Sequence, residues 1–348
     1  MMKKNMPACP AATAQAPAKN RLDDIDRAKG LAIVLVVVGH IVMRGGYPEG
    51  HEWFKALRDS IYLFHMPFFM YLSGLVMFYA RSSGHVTLAQ YPDFLKKRAT
   101  RLLIPFITMG LLILTGKIGA QYFMTVDGVP DNFLTGLYHL FWETQFSPAI
   151  SVWYVFVLFS YCALIPPLLW ISGQRLWPLF LLSCGIYLLP LPDILYLHKI
   201  GHHLPFFLLG GLAAQHLAPY QKRLDQKALW CLLAFFGGFI LLFFTESWAI
   251  KYAVIGTLSM PALHGLIRMP SFKTSRTLTF LGHHAYIIYL LNTLFIGVTK
   301  GVMFHALSWN GLNFFLFLPV LLGAGLIGPI LVKKWLLKHV PVLDRITA

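Results

Sequence analysis

Apolar runs of bilayer length recur from one end of this 348-residue chain to the other, and that recurrence constrains the fold more than any single motif. A helix needs about 20 mostly apolar residues to cross a hydrocarbon core. Runs of roughly that size lie near 29–46, 58–80, 102–124, 151–171, 176–191, 203–218, 228–245, 248–267, 278–299 and 313–336. They predict an all-α, polytopic membrane bundle of about ten transmembrane helices. The fifth and sixth runs are the weakest, because Pro190, Pro192 and Pro205 interrupt them. Only 12% of the residues are charged. Soluble domains average roughly 25%, so a soluble fold does not fit.

The net charge of +15 suggests a nucleic-acid partner, but its distribution argues against one. Basic residues collect in every second connection. One set holds Lys3, Lys4, Lys19, Arg21, Arg27 and Lys29, then Arg81, Lys96, Lys97, Arg98 and Arg101, then Arg175, then Lys222, Arg223 and Lys227, then Arg268, Lys273 and Arg276, then Lys333, Lys334, Lys338 and Arg345. The alternate set holds only Arg44, Lys55, Arg58, Lys199, Lys251 and Lys300. Such alternation predicts an even number of spans with both termini in the cytosol. It also explains the basic composition without nucleic acid. Residues 1–20 are rich in Ala and Pro, lack an apolar core and read as a disordered cytosolic tail, not a signal peptide. Residues 21–340 read as a single transmembrane domain and 341–348 as a second cytosolic tail. The four cysteines show no CxxC spacing, so neither a disulfide framework nor a metal site is expected.

Within the first apolar run, KGLAIVLVVVGH, Lys29 and His40 are spaced so that about three helical turns separate them. Both side chains then lie on one face, with the imidazole about 16 Å along the axis from the ammonium. An ionisable group at that depth is a functional-site candidate. A histidine bonded to a neighbouring helix would satisfy the same spacing. Asp26 precedes Lys29 by three residues, where it can cap the helix or orient the lysine. In KKRATRLLIPF, Arg98 and Arg101 share one face at the expected start of the third span. A guanidinium pair at a helix N-terminus makes an anion clamp, and membrane anchoring would also place basic residues there.

FHMPFFMYLSG places His65 just inside the next span, and Pro67 leaves the carbonyl of Leu63 without a donor. Two histidines beside a freed carbonyl suggest a polar cavity; a kinked packing helix is the alternative. Glu143, Trp153, Tyr154, His202 and His203 gather on the opposite side from the basic connections. Interfacial belt residues look the same in sequence. Tyr289 and Asn292 share a face of the ninth span, where a polar helix contact or a substrate contact are both open.

Together these segments resemble the acyltransferase-3 family of integral membrane O-acyltransferases, in particular its exopolysaccharide and fucose 4-O-acetylase-like members. Asp26, Lys29 and His40 match its D-x-x-[R/K]-x10-H signature. Arg98, Arg101 and Pro105 match its R-x-x-R-hydrophobic-Pro element. FHMPFFMYLSG is similar to its FxMPxFFxxSG segment, and SVWYVFVLFSY to its W-[YF] opening. IIYLLN departs from the late I-Y-x-x-H segment, because Asn292 stands where many members have histidine. The match runs over about 20–340.

The resemblance implies transfer of an acetyl group from cytosolic acetyl-CoA to a sugar hydroxyl of a surface polysaccharide or its lipid-linked precursor. It implies a bacterial inner-membrane location. Lys29, Arg98 and Arg101 would bind the CoA phosphates. His40 would act as general base or acyl carrier, with Asp26, His65 and Glu143 as further catalytic candidates. Trp153, Tyr154 and Asn292 would contact substrate, and no metal is expected. Three rivals stay open: a secondary transporter, a non-catalytic scaffold, and the same fold using a donor such as succinyl-CoA.

Overall fold

The computed structural model describes residues 22–41, 51–81, 86–124, 126–340 and 343–344. The expected tail at 1–20, nearly all of the tail at 341–348, and Arg44 lie outside the described residues. Fourteen α-helices occur among those described: α1 (Asp23–Gly39), α2 (Glu52–Tyr62), α3 (His65–Arg81), α4 (Tyr91–Ala120), α5 (Phe133–Phe141), α6 (Trp153–Ile171), α7 (Leu176–Tyr187), α8 (Leu197–Gln215), α9 (Leu217–Leu241), α10 (Trp248–Arg268), α11 (Pro270–Lys273), α12 (Arg276–His283), α13 (Ala285–Phe304) and α14 (Asn313–Trp335).

Seven helical stretches among the described residues are long and apolar enough to cross a membrane. They are Glu52–Ala80, which joins α2 to α3, together with α4, the stretch containing α6, then α9, α10, α13 and the stretch containing α14. The other three expected spans fall on helices that are shorter or more polar. Helix α1 has 17 residues and α7 has 12. Helix α8 opens with His198, Lys199, His202 and His203.

Polar contacts between helices gather at two ends. At the first, Asp24 of α1 meets Arg268 of α10, Asp26 meets His283 of α12, and Tyr286 of α13 bonds the Arg101 carbonyl of α4. At the second, His51 bonds the Gly311 carbonyl, Tyr187 bonds the Ala249 carbonyl, and Lys300 pairs with Asp127. The first end collects the basic connections, as the charge alternation anticipates.

Helix α1 is the axis of the bundle. Ala28, Ala32, Ile33 and Val37 are fully buried, and α2, α3, α10, α12, α13 and α14 all pack on it. Against α12 the approach is backbone to backbone. A Cβ on Gly30 would overlap the Leu278 carbonyl, and one on Gly282 would overlap the Asp26 carbonyl. Small residues permit this closeness where lipid supplies no hydrophobic drive between helices.

A polar cluster fixes the basic end of α1. The buried Asp24 carboxylate accepts from Arg268 Nη1 at 2.5 Å, Gln221 at 2.8 Å and His264 Nε2 at 3.2 Å. The other His264 nitrogen bonds the Tyr71 hydroxyl at 2.9 Å. Arg268 also holds Asp225 through two bonds of 2.7 Å. Asp24 lies ahead of the apolar run. Burial would raise its pKa, but His264 and Arg268 more than offset this and hold it well below the usual carboxylate range.

Two boundaries differ from expectation. Helix α1 begins at Asp23 and ends at Gly39, so His40 is its C-cap and not a mid-helix residue. Helix α4 begins at Tyr91, about two turns ahead of the first residue of the basic pair. Arg98 and Arg101 therefore sit inside α4, about 10 and 15 Å from its start, beyond reach of the terminal dipole.

Removing the Asp24 carboxylate strands the half-buried Arg268 guanidinium and a nitrogen of the buried His264. Asp24→Ala is expected to cost about 3–5 kcal/mol, the range for breaking a buried ion pair from one side. Asp225→Ala, whose side chain is 48% exposed, is expected to cost less. Thermal denaturation of both variants in detergent measures the difference.

Candidate active site

The C-cap position brings His40 against α13. Its Nδ1 lies 2.7 Å from Asn292 Oδ1. Asn292 is completely buried, and its amide nitrogen donates to the carbonyls of Ile288 at 2.9 Å and Tyr289 at 2.8 Å. Those two bonds orient the amide, so its oxygen faces the imidazole and Nδ1 is the donor. In the neutral ring Nε2 then keeps its lone pair. Among the described residues no hydrogen-bonding partner faces that nitrogen, and the ring is half-buried.

His65 joins this site from α3. It is buried, and its Nδ1 donates to the Ile61 carbonyl at 2.8 Å. The expected acceptor was the Leu63 carbonyl freed by Pro67. Instead the chain breaks between α2 and α3, and Pro67 is the third residue of α3, where a backbone N–H has no helical partner to lose. The Tyr62 ring lies 4.9 Å from the His65 ring and donates its hydroxyl to the Gly39 carbonyl at 3.1 Å. The Arg58 guanidinium lies 4.7 Å from the centre of the Tyr62 ring. His40, His65 and Arg58 are close enough to interact electrostatically.

Helix α13 continues the polar surface toward α6. The Tyr289 hydroxyl donates to the Ser151 carbonyl at 2.5 Å and accepts from the Tyr154 N–H at 3.1 Å. Thr293 and Ser151 share a hydroxyl bond of 3.1 Å. Neither Ser151 nor Thr293 stands out in the sequence beyond its neighbourhood to SVWYV and to Asn292.

The candidate residues divide into separate groups. Tyr154 is buried and bonds the Ser73 hydroxyl at 2.6 Å, which makes it a core contact between α6 and α3. Trp153 is half-buried, with the His203 ring 4.6 Å away. Glu143 is 51% exposed, and its ion-pair partner is His139 of α5, not a histidine of the α1–α3 cluster. At the basic end, Lys29 lies 3.6 Å from Asp26, whose other oxygen is 3.3 Å from His283. Arg98 stacks 5.3 Å above Phe94, and Arg101 is exposed. Pro105 cannot donate to the Arg101 carbonyl, and the Tyr286 hydroxyl takes that place at 2.7 Å. His283 and Tyr286 thus belong to the basic rim, although nothing in the sequence singles out their partners.

A family described as an acyltransferase domain matches residues 22–334, which spans both groups. The chain is 29% identical over 230 residues to the nodulation protein NolL of Mesorhizobium japonicum, covering 65% of this chain and 55% of that protein. It is 30% identical over 207 residues to NolL of Sinorhizobium fredii, covering 58% of this chain and 50% of that protein. The chain therefore spans about half the length of the curated relatives it matches. No solved structure matches it.

The Asn292 amide sets a tautomer that spectroscopy can read. In protein labelled with 15N-histidine, the neutral His40 ring is expected to show protonated Nδ1 and unprotonated Nε2. Asn292→Ala is expected to release that preference. A wild-type His40 ring protonated at Nε2 alone would contradict the assignment.

Proposed function

This chain belongs to the acyltransferase-3 family, and from that premise we propose that it moves an acetyl group from acetyl-CoA to a hydroxyl of a cell-surface or exopolysaccharide sugar. The supporting observation is the orientation of His40 by Asn292, which leaves one unprotonated nitrogen for proton transfer. In the proposed topology both termini lie in the cytosol of a bacterial inner membrane. The basic end then faces the donor and the Trp153 end faces the acceptor.

The geometry supports a direct transfer. Lys29, with Arg98 and Arg101 on the same rim, would hold the CoA phosphates by charge and hydrogen bonding. The clamp works through side chains alone, since the α4 dipole does not reach it. The thioester then has to reach about 16 Å along α1, the rise from Lys29 to His40. His40 Nε2 accepts the proton of the sugar hydroxyl as that oxygen attacks the acetyl carbonyl carbon. The C–S bond breaks, and the CoA thiolate takes the proton from the imidazolium. Asn292 Oδ1 accepts from Nδ1–H throughout and favours the imidazolium while it exists. Asp26 acts on Lys29 and His283 at the rim, so its role is to position the donor clamp. His65 adds to the polarity beside His40, and Glu143 belongs to the outer surface beside His139.

His40→Ala is expected to lower acetyl transfer in membranes by about 10²–10⁴-fold at equal expression, the usual worth of a general base. Asn292→Ala is expected to lower turnover by about 10²-fold while leaving the acetyl-CoA requirement unchanged, because it disturbs the base and not the clamp. Lys29→Ala and Arg101→Ala should do the reverse, raising the acetyl-CoA KM more than they lower kcat. Full activity in the His40 variant would remove it as the catalyst.

A further inference from the structure

Helix α8 begins with a second cluster of ionisable side chains that the proposed chemistry does not use. In HKIGHH, residues 198, 199, 202 and 203 fall three and four apart and share one face of its first turns. The His198 and His202 rings lie 4.0 Å apart. The Lys199 ammonium lies 5.6 Å from the centre of the Trp153 ring.

These groups differ in what they have left to bind. His203 is spent, because its Nδ1 donates to the Lys199 carbonyl at 2.7 Å and its Nε2 accepts from the Tyr252 hydroxyl at 2.7 Å. Lys199, His198 and His202 are half-buried, and among the described residues no carboxylate comes within ion-pair distance of any of them. Asp193 is the nearest opposing charge and acts on Lys199 and His198 only through space. Both residues lie ahead of the apolar run at 203–218. Burial pushes the Lys199 ammonium and the His198 imidazole below their ordinary values, and Asp193 offsets this only in part. Three donors thus lie within the first turns of α8, with His202 stacked on Tyr187 at 4.7 Å, and among the described residues none of them is ion-paired to a carboxylate.

The turn that presents them is anchored. Leu195 and Tyr196 both have left-handed backbone angles, φ 49° and 57°, which non-glycine residues rarely adopt. The Tyr196 ring is buried against Phe106 and Phe156, and the Asp193 carbonyl accepts from both the N–H and the hydroxyl of Thr144. The cluster also connects to His40 by short steps. Trp153 follows Ser151 by two residues, Ser151 bonds Thr293, and Thr293 follows Asn292.

The geometry points to an anion subsite formed by His198, Lys199 and His202, which selects an acceptor glycan carrying a carboxylate or phosphate group on a sugar. This rests on the acyltransferase reading, since it places the acceptor on the path to His40. Its test is a binding measurement without acetyl-CoA, so catalysis does not enter the result.

The full chain, reconstituted in phosphatidylcholine nanodiscs, would be titrated with a glucuronyl disaccharide, a 6-phosphoglucosyl disaccharide and the neutral glucosyl counterpart. At least one acidic probe is expected to bind 10-fold or more tightly than the neutral one. Lys199→Gln and His202→Gln should each reduce that preference to within about 2-fold, and Lys199→Arg should retain most of it. An unchanged melting temperature certifies the fold of each variant. Equal binding of the three probes by the wild type, or a preference that survives Lys199→Gln, would overturn the subsite. Saturation of the site by phosphatidylglycerol, with no discrimination among the sugars, would assign the anion to a lipid headgroup and overturn it equally.

Discussion

A largely buried helix can keep polar groups only where another helix answers them, and α1 is built around that constraint. Its middle is a run of Ala, Ile and Val without a polar side chain. All of its ionisable groups lie at the two ends. Asp24 and Asp26 stand at the basic end, where α9, α10 and α12 supply partners, and Lys29 pairs there with Asp26. His40 stands at the other, where α13 supplies Asn292. An unpaired charge or imidazole in the middle would carry a desolvation penalty that neither packing nor water would offset. The separation between donor clamp and base in the proposed reaction follows from that arrangement.

Helix α13 has the complementary design. Four of its polar residues each close a gap left by another helix. Tyr286 occupies the hydrogen-bonding position that Pro105 vacates on α4. Tyr289 bridges two backbone groups at the start of α6, Asn292 orients the His40 ring, and Thr293 meets Ser151. A single helix therefore touches the basic rim, His40 and the start of α6. Asn292 departs from the histidine that the family resemblance leads one to expect, yet it serves His40 well. An amide held by two backbone carbonyls can present only its oxygen, whereas an imidazole in its place would have two tautomers to choose between.

The all-helical bundle and the basic alternation were legible because both rest on composition summed over long windows. His40 and Lys29 were legible because a charge stands out within an apolar run. Helix boundaries were less so. Nothing in the residues around Arg98 shows that α4 extends back to Tyr91, because an amphipathic turn and a loop share the same composition. The Pro67 reading failed for a related reason. A proline frees a carbonyl only inside a helix, and here the helix starts two residues earlier. Partners distant in sequence, such as Asp24 with His264 or Ser151 with Thr293, leave no local periodicity to read.

The contact at Gly30 and Gly282 has one more consequence. With main chain against main chain, no flexible side chain lies between α1 and α12 to absorb a displacement. A slip of one residue would bring a leucine, Leu31 or Leu281, into a space that holds only hydrogen atoms. The two helices must travel as one rigid body, carrying Lys29, Asp26, His283 and His40 with them. Any relative movement is thereby left to pairs that meet through side chains, such as α6 and α8.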